Sequence, residues 1–347
     1  MLSPQLMPSA PARRAIDALQ ERVQRDEGNR GIKPLTRPGQ LLLAAQTLLA
    51  APVGGSVLLL TGFPCLRDRT PPCESDGPPG VAALACTLLA LGRPVTLPIE
   101  EHSADVLRRT CAGGSSCCSN QVPEVVAFPT ASTWAAADDA RLAALRDAAR
   151  CVVSLERAGD AADGTCYTMR ALPMGETLIG KINTLGAPGQ GVPTVGIGDG
   201  GNELGMGSLI EDIKSCVKLG ETIGCVVASD APLVASVSNW GGFALCCALA
   251  VLAWDADLAT PTDDQPPPAS DAEAAEAFLA RHVLDRDAAR RIHEAMGEAG
   301  VVDGITSAGG GSVDGMPLEV QLDTLDELRC IALEALTASS RGASTGK

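Results

Sequence analysis

The pattern of apolar and polar residues alternates between strand-like and helix-like segments through most of the chain. Continuous apolar runs bounded by turn residues predict strands at residues 56–61, 94–99, 124–128, 151–155, 192–197 and 223–228. Helical patterns follow at residues 81–91, 102–111, 134–150 and 241–254, with one more expected to begin near Asn202. Apolar strands that alternate with helices are typical of a parallel sheet covered on both faces. We therefore predict an α/β fold with a doubly wound, mainly parallel, Rossmann-like sheet.

The C-terminal third of the chain is predicted to be helical. Its helical patterns lie at residues 271–282, 287–297 and 318–336. We expect these extra C-terminal helices to pack on the sheet, so that residues 25–337 form a single α/β domain. Two segments of that domain differ from its core, namely a flexible loop at residues 112–120 and an acidic, Pro-rich linker at residues 261–270.

The two ends of the chain are expected to lie outside this domain. Residues 1–24 are predicted to form a tail or helix, and Arg13 and Arg14, which come before the first acid at Asp17, give it a faint targeting character. Residues 338–347 are predicted to be a disordered tail. We see no secretory signal in the sequence.

Composition and charge narrow the class of function. The chain has 347 residues, of which 46% are hydrophobic and 20% charged, and this balance is globular. A formal net charge of −15 without a basic stripe argues against nucleic-acid binding. The longest apolar run, residues 240–254, is too short to span a membrane. The 13 cysteines show no paired spacing, which predicts a reducing, intracellular compartment. We therefore expect a small-molecule partner, and the oligomeric state stays open.

The loop Gly196–Gly207 carries the strongest local signal for chemistry. Ligands of doubly wound sheets bind beyond the carboxyl ends of the strands, and this loop directly follows a predicted strand. Its glycines permit close approach to a ligand, and Asp199, Asn202 and Glu203 add polar groups. The spacing Gly196, Gly198, Gly201 also fits a dinucleotide-binding motif. Because the two acids would face a pyrophosphate, we expect no nucleotide cofactor.

Three further loops carry candidate groups. Glu74 and Asp76 precede a predicted helix, where a carboxylate can cap the helix or share a cation. Glu156 and Arg157 follow a predicted strand, and Arg157 and Arg170 are candidate guanidinium anchors for a substrate carboxylate. Ser238 and Asn239 stand at the start of a helix, where side chains can cap the helix or contact a ligand.

Several long motifs resemble those of the D-glutamate cyclase family, specifically its cyclase-like C-terminal domain. The similarity runs from about residue 25 to about residue 336 and rests on TGFPC, ESDGPPG, LERAG, ADGTCYTMR, GIGDGGNELGMG, SNWGGFAL, GVVDGIT and VDGMPLEV. Two features depart from the family pattern. Ser75 stands where Thr is expected, and the large N-terminal domain of the mammalian members is not in this sequence.

The resemblance implies a hydro-lyase that reversibly converts D-glutamate to 5-oxo-D-proline and water. Applied to this chain, it suggests that Asp199, with Glu203 or Asp76, binds a divalent cation such as Mn²⁺ or Mg²⁺ that polarises the γ-carboxylate. Glu156 is the preferred general base for the amine, and Arg157 is expected to hold the α-carboxylate.

Further substrate contacts are expected from the loops around these acids. The backbone of Gly198, Gly200 and Gly201 is expected to donate to an oxyanion, and further contacts come from Arg170, Asn202, Ser238 and Asn239. Arg30 is an additional candidate anchor.

Two other classes of function stay open at this point. A nicotinamide-dependent oxidoreductase would use the Gly196–Gly201 loop, and a non-catalytic sensor would bind D-glutamate or 5-oxoproline without turnover. The mammalian relative is mitochondrial, so the resemblance implies the mitochondrial matrix, with the cytoplasm as the alternative.

Overall fold

The computed structural model describes residues 7–27, 31–114, 121–189, 191–257 and 270–338. Its strands are β1 (Ser56–Gly62), β2 (Val95–Glu100), β3 (Glu124–Phe128), β4 (Ala149–Arg157), β5 (Cys166–Tyr167), β6 (Pro173–Met174), β7 (Thr194–Gly198) and β8 (Ala231–Val234). Its helices are α1 (Ala10–Val23), α2 (Gln40–Ala50), α3 (Pro78–Ala90), α4 (Glu101–Gly114), α5 (Ala136–Ala148), α6 (Ile210–Cys216), α7 (Gly220–Ile223), α8 (Ser238–Asp255), α9 (Asp271–His282), α10 (Arg286–Glu298) and α11 (Leu318–Ala338).

Six of the strands form one parallel sheet in the order β3-β2-β1-β4-β7-β8. The chain winds outward from β1 to β3 on one side and from β4 to β8 on the other, which confirms the predicted doubly wound fold. The direction of winding reverses between β1 and β4. Ligands of such sheets bind in the crevice outside the carboxyl ends of the strands at this reversal. The strands β5 and β6 form a separate antiparallel pair.

The two faces of the sheet are covered unequally. Successive residues of β1 point to opposite faces, so Val57 and Leu59 enter the larger core and Leu58 and Leu60 the smaller one. The larger core holds α3 and α8, with α1, α2, α4, α9, α10 and α11 packed around them, as expected for the C-terminal helices. The smaller core is closed by α5 and the 3₁₀ turns of residues 181–186.

Helix α8 is apolar and buried along nearly its whole length. It crosses α3 closely because glycines meet at the crossing. A Cβ at Gly242 would lie 2.7 Å from the Cδ1 of Leu155 and 3.1 Å from the Cα of Gly80. This contact sets the two helix N-termini side by side at the carboxyl edge of the sheet. Within the described residues, every helix is too short or too polar to cross a lipid bilayer.

Two predictions from the sequence are wrong at the end of the sheet. No helix begins near Asn202; positive φ angles at Gly201 and Gly205 interrupt the backbone there, and α6 begins at Ile210. Residues 223–228 are not a strand of the sheet, because Val227 accepts hydrogen bonds from the N–H groups of Gly205 and Gly207. The sixth strand is β8, whose Pro232 weakens a strand pattern but is tolerated on an edge strand.

The predicted flexible segments and the C-terminal tail at residues 338–347 fall largely outside the described residues, whereas residues 7–24 of the N-terminal segment are described. Residues 112–114 form the last turn of α4, whereas residues 115–120 are not among those described. The predicted linker lies outside them up to residue 269, and Ser270 caps α9. At the N-terminal end, α1 packs against α8 and α11 and buries Ile16 and Leu19 completely.

Candidate active site

A cavity of about 420 Å³ opens at the reversal point of the sheet. It lies beyond the carboxyl ends of β1, β4 and β7. Glu74, Glu156 and Asp199 line its acidic part, and Phe63 and Ile32 belong to its apolar wall. Its size is in the range of cavities that bind small organic ligands.

Three carboxylates meet beneath this cavity. Asp76, Glu156 and Asp199 are all buried, and one oxygen from each lies within 4.8 Å of the others. The three residues follow β1, end β4 and follow β7, so the topology brings together positions far apart in sequence. This buried Asp–Glu–Asp cluster can hold a metal ion. It contains two of the three ligands expected from the sequence, Asp76 and Asp199, with Glu156 in the place of Glu203.

Asp76 is held by the N-terminus of α8. Its Oδ2 accepts from the N–H of Ser238 at 2.9 Å, and its Oδ1 accepts from the N–H of Asn239 at 2.8 Å. The partial positive charge of a helix N-terminus favours an ionised carboxylate there. Asp76 therefore caps the neighbouring helix, although the sequence suggested a cap on its own helix, α3.

Asn239, on α8, caps the N-terminus of α3. Its Oδ1 accepts from the N–H of Gly77 at 3.0 Å and from the N–H of Gly80 at 2.8 Å, and its Nδ2 donates to the carbonyl of Ser75 at 3.2 Å. The two helices thus exchange caps through Asp76 and Asn239. Ser238 and Asn239 were expected to contact the substrate. In the structure they form hydrogen bonds to the loop before α3 and to the carboxylates of Asp76 and Glu156.

Glu156 combines a strained backbone with a perturbed carboxyl group. Its backbone has φ of 46°, in the left-handed region that non-glycine residues rarely occupy, and such strain is typical of functional positions. Burial raises the pKa of Glu156 well above its ordinary value, and the charges of Glu203, Asp76 and Glu74 add to the effect. The hydroxyl of Ser238 donates to its Oε2 at 2.6 Å and opposes the shift.

Glu203 organises the glycine-rich loop from within. Its carboxylate accepts from the backbone N–H groups of Asp199 at 3.0 Å, Gly200 at 2.5 Å and Gly201 at 2.6 Å. A Cβ at Gly198 would lie 2.6 Å from its Oε2. Two of the three glycines expected to donate to an oxyanion, Gly200 and Gly201, therefore already donate to Glu203. A dinucleotide pyrophosphate would need the same donors, and no helix N-terminus follows the loop directly.

Arg157 points away from the cavity. Its guanidinium donates to both carboxylate oxygens of Glu100, at 2.7 and 2.6 Å, and to the Oδ1 of Asn183 at 2.7 Å. Burial opposes the charge on Glu100, but Arg157, the N–H of Gly180 and His102 together outweigh burial and lower the pKa of Glu100. This buried pair corrects the expectation that Arg157 holds the substrate.

Arg170, which the sequence analysis named as a candidate substrate anchor, lies at the rim of the cavity. Among the described residues that line the cavity, Arg170 alone is cationic. Asn202 lines the cavity too, and its Nδ2 donates to the carbonyl of Tyr167 at 2.7 Å. Cys65 also lines it; burial and the neighbouring Glu74 raise the pKa of its thiol, which therefore stays protonated. Arg30 lies outside the described residues.

One wall of the cavity was missed from the sequence. Gly304, Ile305 and Ser307 line it, and the buried carboxylate of Asp303 shapes their loop. Asp303 accepts from the N–H groups of Ile305 at 2.8 Å and Gly315 at 2.7 Å. The signal in the sequence was the repeated Asp-Gly at 303–304 and 314–315, which is typical of tight turns.

The fold and the cavity define the class: an α/β protein with a small-molecule site built over buried carboxylates at the reversal point of a parallel sheet. Comparison with known proteins then shows the family. Residues 19–329 match the model of the family described as "D-glutamate cyclase-like, C-terminal", and the chain belongs to this family. This confirms the resemblance seen in the sequence.

A curated relative supports the same assignment. Over 253 residues the chain is 36% identical to the human protein named "D-glutamate cyclase, mitochondrial". The aligned region covers 70% of this chain and 40% of the human protein. The match therefore covers less than half the length of that relative.

Proposed function

We propose that this protein is a D-glutamate cyclase, a hydro-lyase that converts D-glutamate to 5-oxo-D-proline and water and also runs in reverse. The main observation in support of this proposal is the buried cluster of Asp76, Glu156 and Asp199 beneath a cavity with Arg170 at its rim. Membership of the D-glutamate cyclase-like family supports the choice of substrate.

The reaction requires two proton movements at the buried acids. The α-ammonium group must lose a proton before its nitrogen attacks the γ-carbon, and a γ-oxygen must gain protons before it leaves as water. Glu156 suits the donor role because burial and its acidic neighbours favour its protonated form. Asp199, which also lines the cavity, is our candidate for the base. Glu156, expected from the sequence to be the base, takes that role in the reverse direction.

Substrate orientation depends on the rim of the cavity. Arg170 is the candidate anchor for the α-carboxylate, because a guanidinium can bind a carboxylate through two parallel hydrogen bonds. Asn202 adds a polar contact from the opposite loop. Ser238 positions Glu156 through its hydroxyl, and Asp76 is fixed by α8. These fixed contacts hold the acids in place before the substrate binds.

A divalent cation such as Mn²⁺ or Mg²⁺ fits the same cluster. Carboxylate oxygens are the ligands that such cations prefer, and a cation would offset the mutual repulsion that contributes to the raised pKa of Glu156. Asp76 and Asp199, the ligands expected from the sequence, would hold it, and Glu156 would join them only in its ionised form. When bound, the cation would withdraw electron density from the γ-carboxyl group.

The test measures 5-oxoproline formed from D- and L-glutamate by metal-stripped protein, with and without added Mn²⁺ or Mg²⁺. We expect turnover of the D-isomer and its loss by at least about 100-fold in Asp199→Asn, the scale of general acid–base catalysis. Glu211→Gln is the matched control, because its side chain is 85% exposed on α6. Full activity of Asp199→Asn would refute the assignment of Asp199. Binding of D-glutamate without turnover by the unaltered protein would favour the sensor alternative.

A further inference from the structure

Part of the cavity wall is apolar, and two of its large apolar side chains are exposed. Phe63 and Leu66 line it beside the acids, and Leu172 and Ile305 line it from two different loops. Leu172 is 44% exposed and Ile305 is 52% exposed. Apolar side chains that remain exposed in a cavity wall gain free energy when an apolar ligand group covers them.

Free D-glutamate does not use this surface. Both of its ends are carboxylates, and placing a charged group against an apolar wall costs free energy. Its α-carboxylate has Arg170 as a partner, whereas its γ-carboxylate would face Glu74 and Asp199 beside the protonated Glu156. A neutral γ-acyl group removes that repulsion.

We propose that the cavity also takes γ-D-glutamyl amides with an apolar substituent, and closes their ring with release of the amine. This inference rests on the ring-closing chemistry of the proposed function. The α-nitrogen forms a bond to the γ-carbon, and the bond from that carbon to the amide nitrogen breaks. The α-ammonium nitrogen loses two protons, one before the attack and one from the ring intermediate, and the leaving nitrogen takes up both. The products are 5-oxo-D-proline and a free amine, and no further reactant is needed.

The γ-position is the attachment point that the chemistry leaves available. The α-amine must be unsubstituted because it is the nucleophile. The α-carboxylate must be unsubstituted because Arg170 binds it. A substituent on the γ-carbonyl starts at the acids and extends along Phe63 and Leu66. Its far end reaches Leu172 and Ile305 at the mouth, where it covers apolar surface that is otherwise in water.

The experiment compares γ-D-glutamyl methylamide with γ-D-glutamyl butylamide. The two leaving amines have similar basicity, so the comparison isolates the apolar chain. Chromatography measures 5-oxoproline, with reactions lacking enzyme and the L-isomers as controls. We expect kcat/KM to be about 50-fold higher for the butylamide, the gain for burying three further methylene groups. Leu172→Ser and Ile305→Ser should each lower this preference about fivefold. Leu219→Ser, an exposed leucine outside the cavity lining, should leave the preference as it is.

The outcomes separate this inference from the proposed function. Turnover of D-glutamate with no rise from methylamide to butylamide overturns the inference and leaves the proposed function standing. A rise along the amide series without turnover of D-glutamate supports the inference and overturns the dehydration of free D-glutamate. A rise that persists unchanged in Leu172→Ser and Ile305→Ser overturns the placement of the substituent.

Discussion

Replacing Asn239 with alanine should destabilise the protein by about 3 kcal/mol, because the change removes a buried helix cap. The side chain of Asn239 is fully buried and makes three hydrogen bonds. After the substitution, the N–H of Gly77 keeps the Oδ1 of Asp76 as an acceptor at 3.0 Å. The N–H of Gly80 and the carbonyl of Ser75 lose the partner that Asn239 provides. A buried polar group without a partner costs about 1–3 kcal/mol, and two such groups give the expected value.

Urea denaturation followed by circular dichroism measures this loss. For a chain of this length, about 3 kcal/mol corresponds to a decrease in Tm of about 4 °C. Ser270→Ala is the matched control, because Ser270 caps α9 at an exposed position through the N–H of Glu273 at 3.2 Å. We expect this exposed cap to contribute about 1 kcal/mol or less. If Asn239→Ala and Ser270→Ala lower the free energy of unfolding equally, burial does not determine how much these caps stabilise the protein, and the reasoning is refuted.

Three further predictions concern the core. Glu100→Gln should lower the free energy of unfolding by about 3–5 kcal/mol, because Arg157 keeps its charge in a buried site; a loss below about 1 kcal/mol in urea titrations would contradict this. Burial lowers the pKa of His293 to about 4, so its neutral form stabilises the fold above pH 6.5 and that stability is lost as the pH falls towards 4. Between pH 7 and pH 5 the protein should therefore lose about 2 kcal/mol more than His293→Leu, as measured by urea titrations at both pH values; parallel pH profiles would argue against it. Gly242→Ala should cost about 2 kcal/mol by crowding Leu155, whereas Gly297→Ala, where a Cβ meets nothing within 4 Å, should stabilise α10 by about 0.5–1 kcal/mol; thermal melts of the two variants check both signs.

The sheet and most helices could be predicted because their residues carry their own periodicity. Helix α9 begins and ends where the pattern places it, with Ser270 as its cap. The edge strand β8 was missed because it has four residues, and one is Pro232. Residues 223–228 have a strand-like sequence, but their partner is the glycine-rich loop. Local composition does not show which partner an apolar segment will have.

The sequence predicted that acids at strand ends form the candidate site. It predicted the roles of the individual residues less well. Asp76, Glu156 and Asp199 come together because parallel strands end at one edge of the sheet. Arg157 was assigned to the substrate because its partner, Glu100, lies at the end of another strand, and the strand order is not visible in the sequence. Glu203 was assigned to a cation because the sequence does not show where its side chain points. That direction depends on the loop backbone, whose N–H groups the carboxylate binds.

The origin of the three carboxylates has a consequence for folding. Asp76 and Asp199 follow β1 and β7, Glu156 lies at the end of β4, and β4 lies between the other two strands in the sheet. Pairing of these strands joins segments distant along the chain, and such non-local pairing forms slowly. A partly folded intermediate with only β1, β2 and β3 assembled would hold one of the three acids. Recovery of activity during refolding therefore reports completion of the whole central sheet, whereas helical signals report earlier steps.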